Sequence, residues 1–163
     1  MADWPRYSTR TCPPYRFLPG RTPHPRRSPQ GHSFEQPEPH PRPFDPTRWT
    51  SSDDYLYGID LYNQTYWWES HEVFEGFWHA YGRATEAGNF FQALIQCAAA
   101  HLKRELGNEP ATCKLVASGL VRLRQTPTHY MGVHTVRFAE EITDWLNEGR
   151  PAVRIRLENT GGL

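Results

Sequence analysis

The sequence predicts an all-α fold: a single compact helical bundle of about five helices with an extended Pro/Arg-rich N-terminal arm. Three observations carry that expectation. Of 15 prolines, 12 lie between Pro5 and Pro46. From Tyr55 to Leu146 apolar residues recur at spacings of three and four. Capping and stop residues punctuate that stretch at short intervals. A chain of 163 residues suits one domain with some excess. The expected division is an arm over 1–50, a bundle over 51–149 and an extended tail over 150–163.

In the arm, each proline removes a backbone donor and restricts its predecessor, so residues 1–50 should run extended or in turns. Eight arginines stand there against four acids. Tyr15, Phe17, Leu18, Phe34, Phe44 and Trp49 are interspersed. Those apolar residues favour an arm that wraps the domain over a disordered tail.

Ser51-Ser52-Asp53-Asp54 then offers N-cap side chains before Tyr55-Leu56-Tyr57-Gly58-Ile59-Asp60-Leu61-Tyr62, a first helix that breaks near Asn63-Gln64-Thr65. Trp67 to Tyr81 makes the second, with Gly82 as its exit. Phe90 to Leu106 makes a third, apolar nearly all round and therefore central, stopped by Gly107-Asn108. The fourth restarts at Glu109-Pro110 and runs to about Arg124. The fifth buries Val136, Ala139, Ile142, Trp145 and Leu146 and stops at Gly149. Val153, Ile155 and Leu157 alternate with polar residues but have no partner strand, which leaves an extended tail.

Charge and cysteine narrow the function classes. Lys plus Arg and Asp plus Glu are both 18, so no global field draws nucleic acid or an anionic membrane. Arg16, Arg21, Arg26 and Arg27 read as solvated arm residues, and nucleic acid is disfavoured as a partner. No run approaches the roughly 20 apolar residues of a bilayer span. Met-Ala-Asp-Trp-Pro-Arg-Tyr lacks an export pattern, so the expected location is cytoplasmic, without membrane partners. Cys12, Cys97 and Cys113 form neither a disulfide framework nor a CxxC pair.

The chemistry-bearing residues gather on the second helix. At about 100° per residue, Trp67, Phe74, Trp78 and Tyr81 share one sector, and His71 falls about 20° from Trp78, within that core stripe. Glu75 lies about 40° from His71, Glu72 farther toward solvent, and Glu69 nearly opposite. A histidine and a carboxylate at i, i+4 either bond to each other or jointly hold a divalent cation. His101, on the border of the third helix's apolar sector, is placed to meet them. The expected metal ligands are therefore His71, Glu75 and His101, with Glu72 as catalytic base. His79 is expected to face solvent. The spacing fits neither HExxH nor a pair of ExxH motifs, and no phosphate loop or nucleophile elbow is visible.

Tyr62-Asn63-Gln64-Thr65-Tyr66-Trp67-Trp68-Glu69-Ser70-His71-Glu72-Val73-Phe74-Glu75-Gly76-Phe77-Trp78, followed by Phe91-Gln92-Ala93-Leu94-Ile95-Gln96-Cys97-Ala98-Ala99-Ala100, resembles the prokaryotic domain of unknown function 309 family. The resemblance covers about residues 53–148. Its matching positions are Glu69, His71, Glu72, Glu75, Trp78, Gln92 and Gln96, with departures at Ser70 and Ala93. It implies a compact helical bundle and a metal-dependent hydrolase, and suggests that an arm carrying His24 and His32 caps the bundle.

Two readings follow. In the first, a divalent metal serves a hydrolase acting on a small-molecule or peptide substrate. In the second, the protein is a helical interaction module and the His71/Glu75 pair is an internal hydrogen-bonded strut. Either admits a homo-oligomer.

Overall fold

The computed structural model describes residues 4–160. Five α-helices form the body: α1 (Asp53–Asn63), α2 (Trp67–Tyr81), α3 (Glu86–Glu105), α4 (Glu109–Leu123) and α5 (Thr135–Glu148). A 3₁₀ turn over Pro46–Ser51 precedes them, so the last residues of the arm are helical after all. Proline at its first position permits this, because the missing N–H is one that a helix start leaves unpaired anyway. Between α4 and α5 lies a two-residue hairpin, β1 (His129–Tyr130) with β2 (Val133–His134), antiparallel with Tyr130 opposite Val133.

Local chemistry sets the helix starts. Side chains of Ser52, Thr85, Asn108 and His134 accept the N–H groups of Tyr55, Gly88, Ala111 and Arg137, respectively. The Thr85 cap begins α3 four residues earlier than the apolar pattern from Phe90 indicates. That polar-looking first turn contributes the buried Ala87 and Gly88.

α3 is the central helix, packed against both α2 and α4. Phe90, Phe91, Ala93, Leu94, Ala98 and Ala100 are fully enclosed. The Phe91 ring stacks on Phe77 of α2 at 4.9 Å. On α5 the buried line is Thr135, Phe138, Ile142 and Trp145, while Val136 is exposed. Of the expected α5 face, Ile142 and Trp145 are buried and Ala139 and Leu146 pack partly against the core, while Val136 gives way to Phe138.

The arm is ordered and pinned. Asp60, fully buried on α1, accepts the backbone N–H groups of Tyr7 (2.9 Å) and Ser8 (2.8 Å) and pairs with Arg6 at 3.1 Å. Tyr66 donates its hydroxyl to Pro13 O, and Arg16 forks onto Glu105. Phe44 sits among Tyr55, Phe77 and Tyr81, and its N–H donates to the Tyr81 hydroxyl. The tail is extended too: Asn63 behaves as a one-residue strand, donating to Ile155 O (2.8 Å) and accepting from Ile155 N (2.7 Å).

The arm crosses α2 at Gly76. A Cβ there would stand 2.6 Å from Pro41 Cδ and 2.8 Å from Pro39 O, distances only a glycine allows. Gly76→Ala is therefore expected to lift residues 39–41 from the helix, lowering stability by about 1–3 kcal/mol. Faster proteolysis near Pro39 and a lower urea midpoint would report it. Unchanged values for both would refute the close crossing.

Candidate metal centre

The core face of α2 is Trp67, Ser70, Phe74 and Phe77, spaced three, four and three. Trp78 and Tyr81 are only partly buried, so the stripe is centred away from where those two residues put it. His71 consequently stands at its edge, not in the core. Its side chain is 29% exposed, Glu72 18% and Glu75 39%.

These three residues nevertheless converge. His71 Nε2 lies 3.2 Å from Glu75 Oε2, and His71 Nδ1 lies 3.7 Å from Glu72 Oε1. One ligand atom from each of the three can be chosen so that all lie within 4.8 Å of one another. Glu75 Oε1 is 3.5 Å from His79 Nε2, and His79 is exposed, as expected. The arm supplies Arg26, whose Nη2 stands 3.5 Å from Glu72 Oε2 and holds that carboxylate with its other oxygen toward His71.

Burial lowers the His71 pKa, with Glu75 opposing, a balance that favours the neutral imidazole a metal ligand needs. Burial likewise raises the Glu72 carboxyl, against the pull of Arg26. A cavity of about 440 Å³ lies over the Glu72/Glu75 side, closed by Glu38 to Pro41 of the arm. A second, of about 470 Å³, lies on the other side of the same arm segment and shares Glu72 as a wall.

His101 does not join this group. Its ring lies between Trp67, stacked at 4.5 Å, and Trp145, at 4.0 Å, with Tyr62 at 5.7 Å. Only 3% of it is exposed, and neither ring nitrogen has a hydrogen-bond partner among the described residues. Burial, with Arg104 adding, pushes its pKa down to about 3. The His71, Glu72 and Glu75 donor atoms group without it.

Glu69 is the largest correction. It is buried under the arm, where Oε1 accepts from Phe17 N (2.8 Å) and contacts His32 Nε2 (2.9 Å). His32 therefore does cap the bundle, though at Glu69 instead of at the His71 group. His24 packs on Phe17 and Trp68. Helical periodicity within α2 carries no signal for this, since the covering residues come from 37 and 52 positions away. Asp60 had a signal: an acid between Ile59 and Leu61 in an apolar run marks a buried charge with a partner. Gln92 and Gln96 on α3 are partly buried, and the Oε1 of each has no partner among the described residues.

Residues 55–115 match a family model, that of the Domain of unknown function (DUF309). The matched segment takes in α1 from Tyr55, all of α2 and α3, and α4 as far as Leu115, and so includes Glu69, His71, Glu72, Glu75 and His101. This helical segment is what the chain shares with that family; the arm and α5 lie outside the match. No curated protein matches the chain. Among the described residues, no helix is long and apolar enough to cross a membrane.

Proposed function

We propose that α2 carries a divalent-metal site and that the protein is a metal-dependent hydrolase of a small-molecule or peptide substrate. The observation behind this reading is the convergence of His71, Glu72 and Glu75 to within 4.8 Å. The His71 imidazole and the Glu75 carboxylate are donors that suit zinc, manganese or iron, with Glu72 close enough to serve a bound water. A bound divalent ion supplies an activated water and polarises a scissile carbonyl.

The residues divide the remaining work. His71 and Glu75, one turn apart, hold the ion from adjacent donors. Glu72 is the proton acceptor, and its raised pKa brings it nearer the working range of a general base. Arg26 orients Glu72 from the arm, as an outer-sphere partner does for a ligand or base. The arm segment 38–41 narrows access to the cavity beside Glu75.

The strut reading has one observation of its own, the 3.2 Å separation of His71 Nε2 and Glu75 Oε2, a direct polar contact at i, i+4 spacing that needs no ion. His71→Asn separates the two. Under the metal reading, untagged wild-type protein carries zinc, manganese or iron near one ion per chain by elemental analysis. The variant then binds at least about tenfold more weakly, while stability changes by under about 1 kcal/mol, as expected for a partly exposed side chain. Protein that is metal-free and takes up none of the three ions overturns the proposal in favour of the strut.

A further inference from the structure

α4 and α5 meet along an open groove of about 330 Å³. Its floor is apolar: Leu123 is buried, Leu120 and Ala139 pack partly on the core, and Val136 is 48% exposed. Val121, next to Leu120 on α4, is 49% exposed. Among the described residues three large hydrophobic side chains stand exposed, Phe34, Val121 and Val136, and two of them lie on this pair of helices. An apolar strip rimmed by charged residues is the usual form of a protein-binding surface.

The rim carries one free charge of each sign. Arg124, one turn after Leu120, stands on the α4 wall, and Glu140, one turn after Val136, stands on the α5 wall. Both are exposed and neither has an ion-pair partner among the described residues, whereas Asp144 on the α5 wall is paired with Arg150 at 3.6 Å. Arg124 at the C-terminal end of α4 and Thr135 at the start of α5 line the same cavity, so the two free charges stand toward one end of the groove. A two-fold axis along the groove turns this arrangement onto itself. It lays the α4 wall of one copy on the α5 wall of the other, bringing Arg124 to Glu140 twice while the apolar floors close together.

We propose that α4 and α5 form the interface of a symmetric homodimer, in which a second copy of this chain occupies the groove. Leu120, Val136 and Ala139 are its apolar part, and reciprocal Arg124–Glu140 pairs set its register. A foreign partner would have to carry both signs in matching positions, whereas a second copy supplies them by symmetry. None of these residues belongs to the metal centre, and the dimer does not depend on that reading.

Sedimentation equilibrium of the full-length protein, over a roughly hundredfold range of concentration, reads the assembly state. A reversible dimer is expected with no larger species, since a two-fold contact closes on itself. Arg124→Glu and Glu140→Arg should each weaken it about tenfold or more by facing like charges, and the double variant should recover most of that loss. Val136→Asp should abolish the dimer with unchanged circular dichroism, because the residue is already half exposed in the single chain. Should Arg124→Glu weaken the fold, through an acid at the C-terminal end of α4, Glu140→Arg and Val136→Asp decide alone. A monomer at every concentration overturns the proposal and leaves the groove to a different partner. Species larger than a dimer, a dimer indifferent to these variants, or a double variant no tighter than its single parents overturn it as well.

Discussion

Lowering the pH from 8 to 4 is expected to destabilise the protein steeply, and His101→Phe to remove much of that loss. The His101 pKa is about 3 in the folded protein, held there by burial among Trp67, Trp145 and Tyr62 and by the Arg104 charge. In the unfolded chain it returns to about 6.5. Between those values the unfolded state takes a proton that the folded state refuses. The stabilisation of the neutral ring is therefore complete above pH 6.5 and is lost as pH falls toward 3, at about 1.4 kcal/mol per pH unit and roughly 5 kcal/mol in all. His101→Phe keeps an aromatic ring against the two indoles and removes two unpartnered nitrogens. Urea midpoints collected across pH 4 to 8 should fall less for the variant than for wild type. Parallel curves would show that His101 is not the group that resists protonation.

Asp60→Ala is expected to cost about 3 kcal/mol, the sum of two backbone N–H bonds to a buried carboxylate at about 1.5 kcal/mol each. The cost falls on the arm: Tyr7 N–H and Ser8 N–H lose their acceptor together. Arg6, whose side chain is 40% exposed, can turn to water, so Arg6→Ala should cost well under about 1 kcal/mol. Chemical denaturation of both variants, with limited proteolysis, distinguishes an anchor from a surface pair. If Asp60→Ala costs no more than Arg6→Ala, the arm is held by its aromatic contacts and not by this carboxylate.

The helices were readable because their signals are local. Ser52, Asn108 and Gly107 act within a turn of themselves, and the resulting α1, α2 and α4 match their expected spans closely. The start of α3 was missed because Glu86-Ala87-Gly88-Asn89 looks like a loop until Thr85 is known to cap it. At the site, His71, Glu72 and Glu75 come together because i, i+1 and i, i+4 spacing is a property of one helix. The burial of those residues was misjudged for a different reason. Trp78 and Tyr81 are large and apolar, and they drew the wheel toward themselves, although Tyr81 sits between Phe91 and Phe44 of the arm and Trp78 lies under Arg83. Glu69, Arg26 and His32 were invisible as partners, since nothing in a local pattern says which face of α2 a proline-rich segment will cross. His101 was legible as buried but not as distant, because periodicity within α3 does not fix which neighbour fills the space beside it.

The stitching of Tyr7 to both Asp60 and Leu157 joins the arm, α1 and the extended tail in one seam, held by groups about 50 and 150 positions apart in the chain. Local opening of that seam would release the arm while α2, α3 and α4 stay packed, a sub-global unit with its own equilibrium. Amide protons of Tyr7 and Ser8 should then exchange sooner than those of Phe91 or Leu94, and proteases should find the arm before they find the helices.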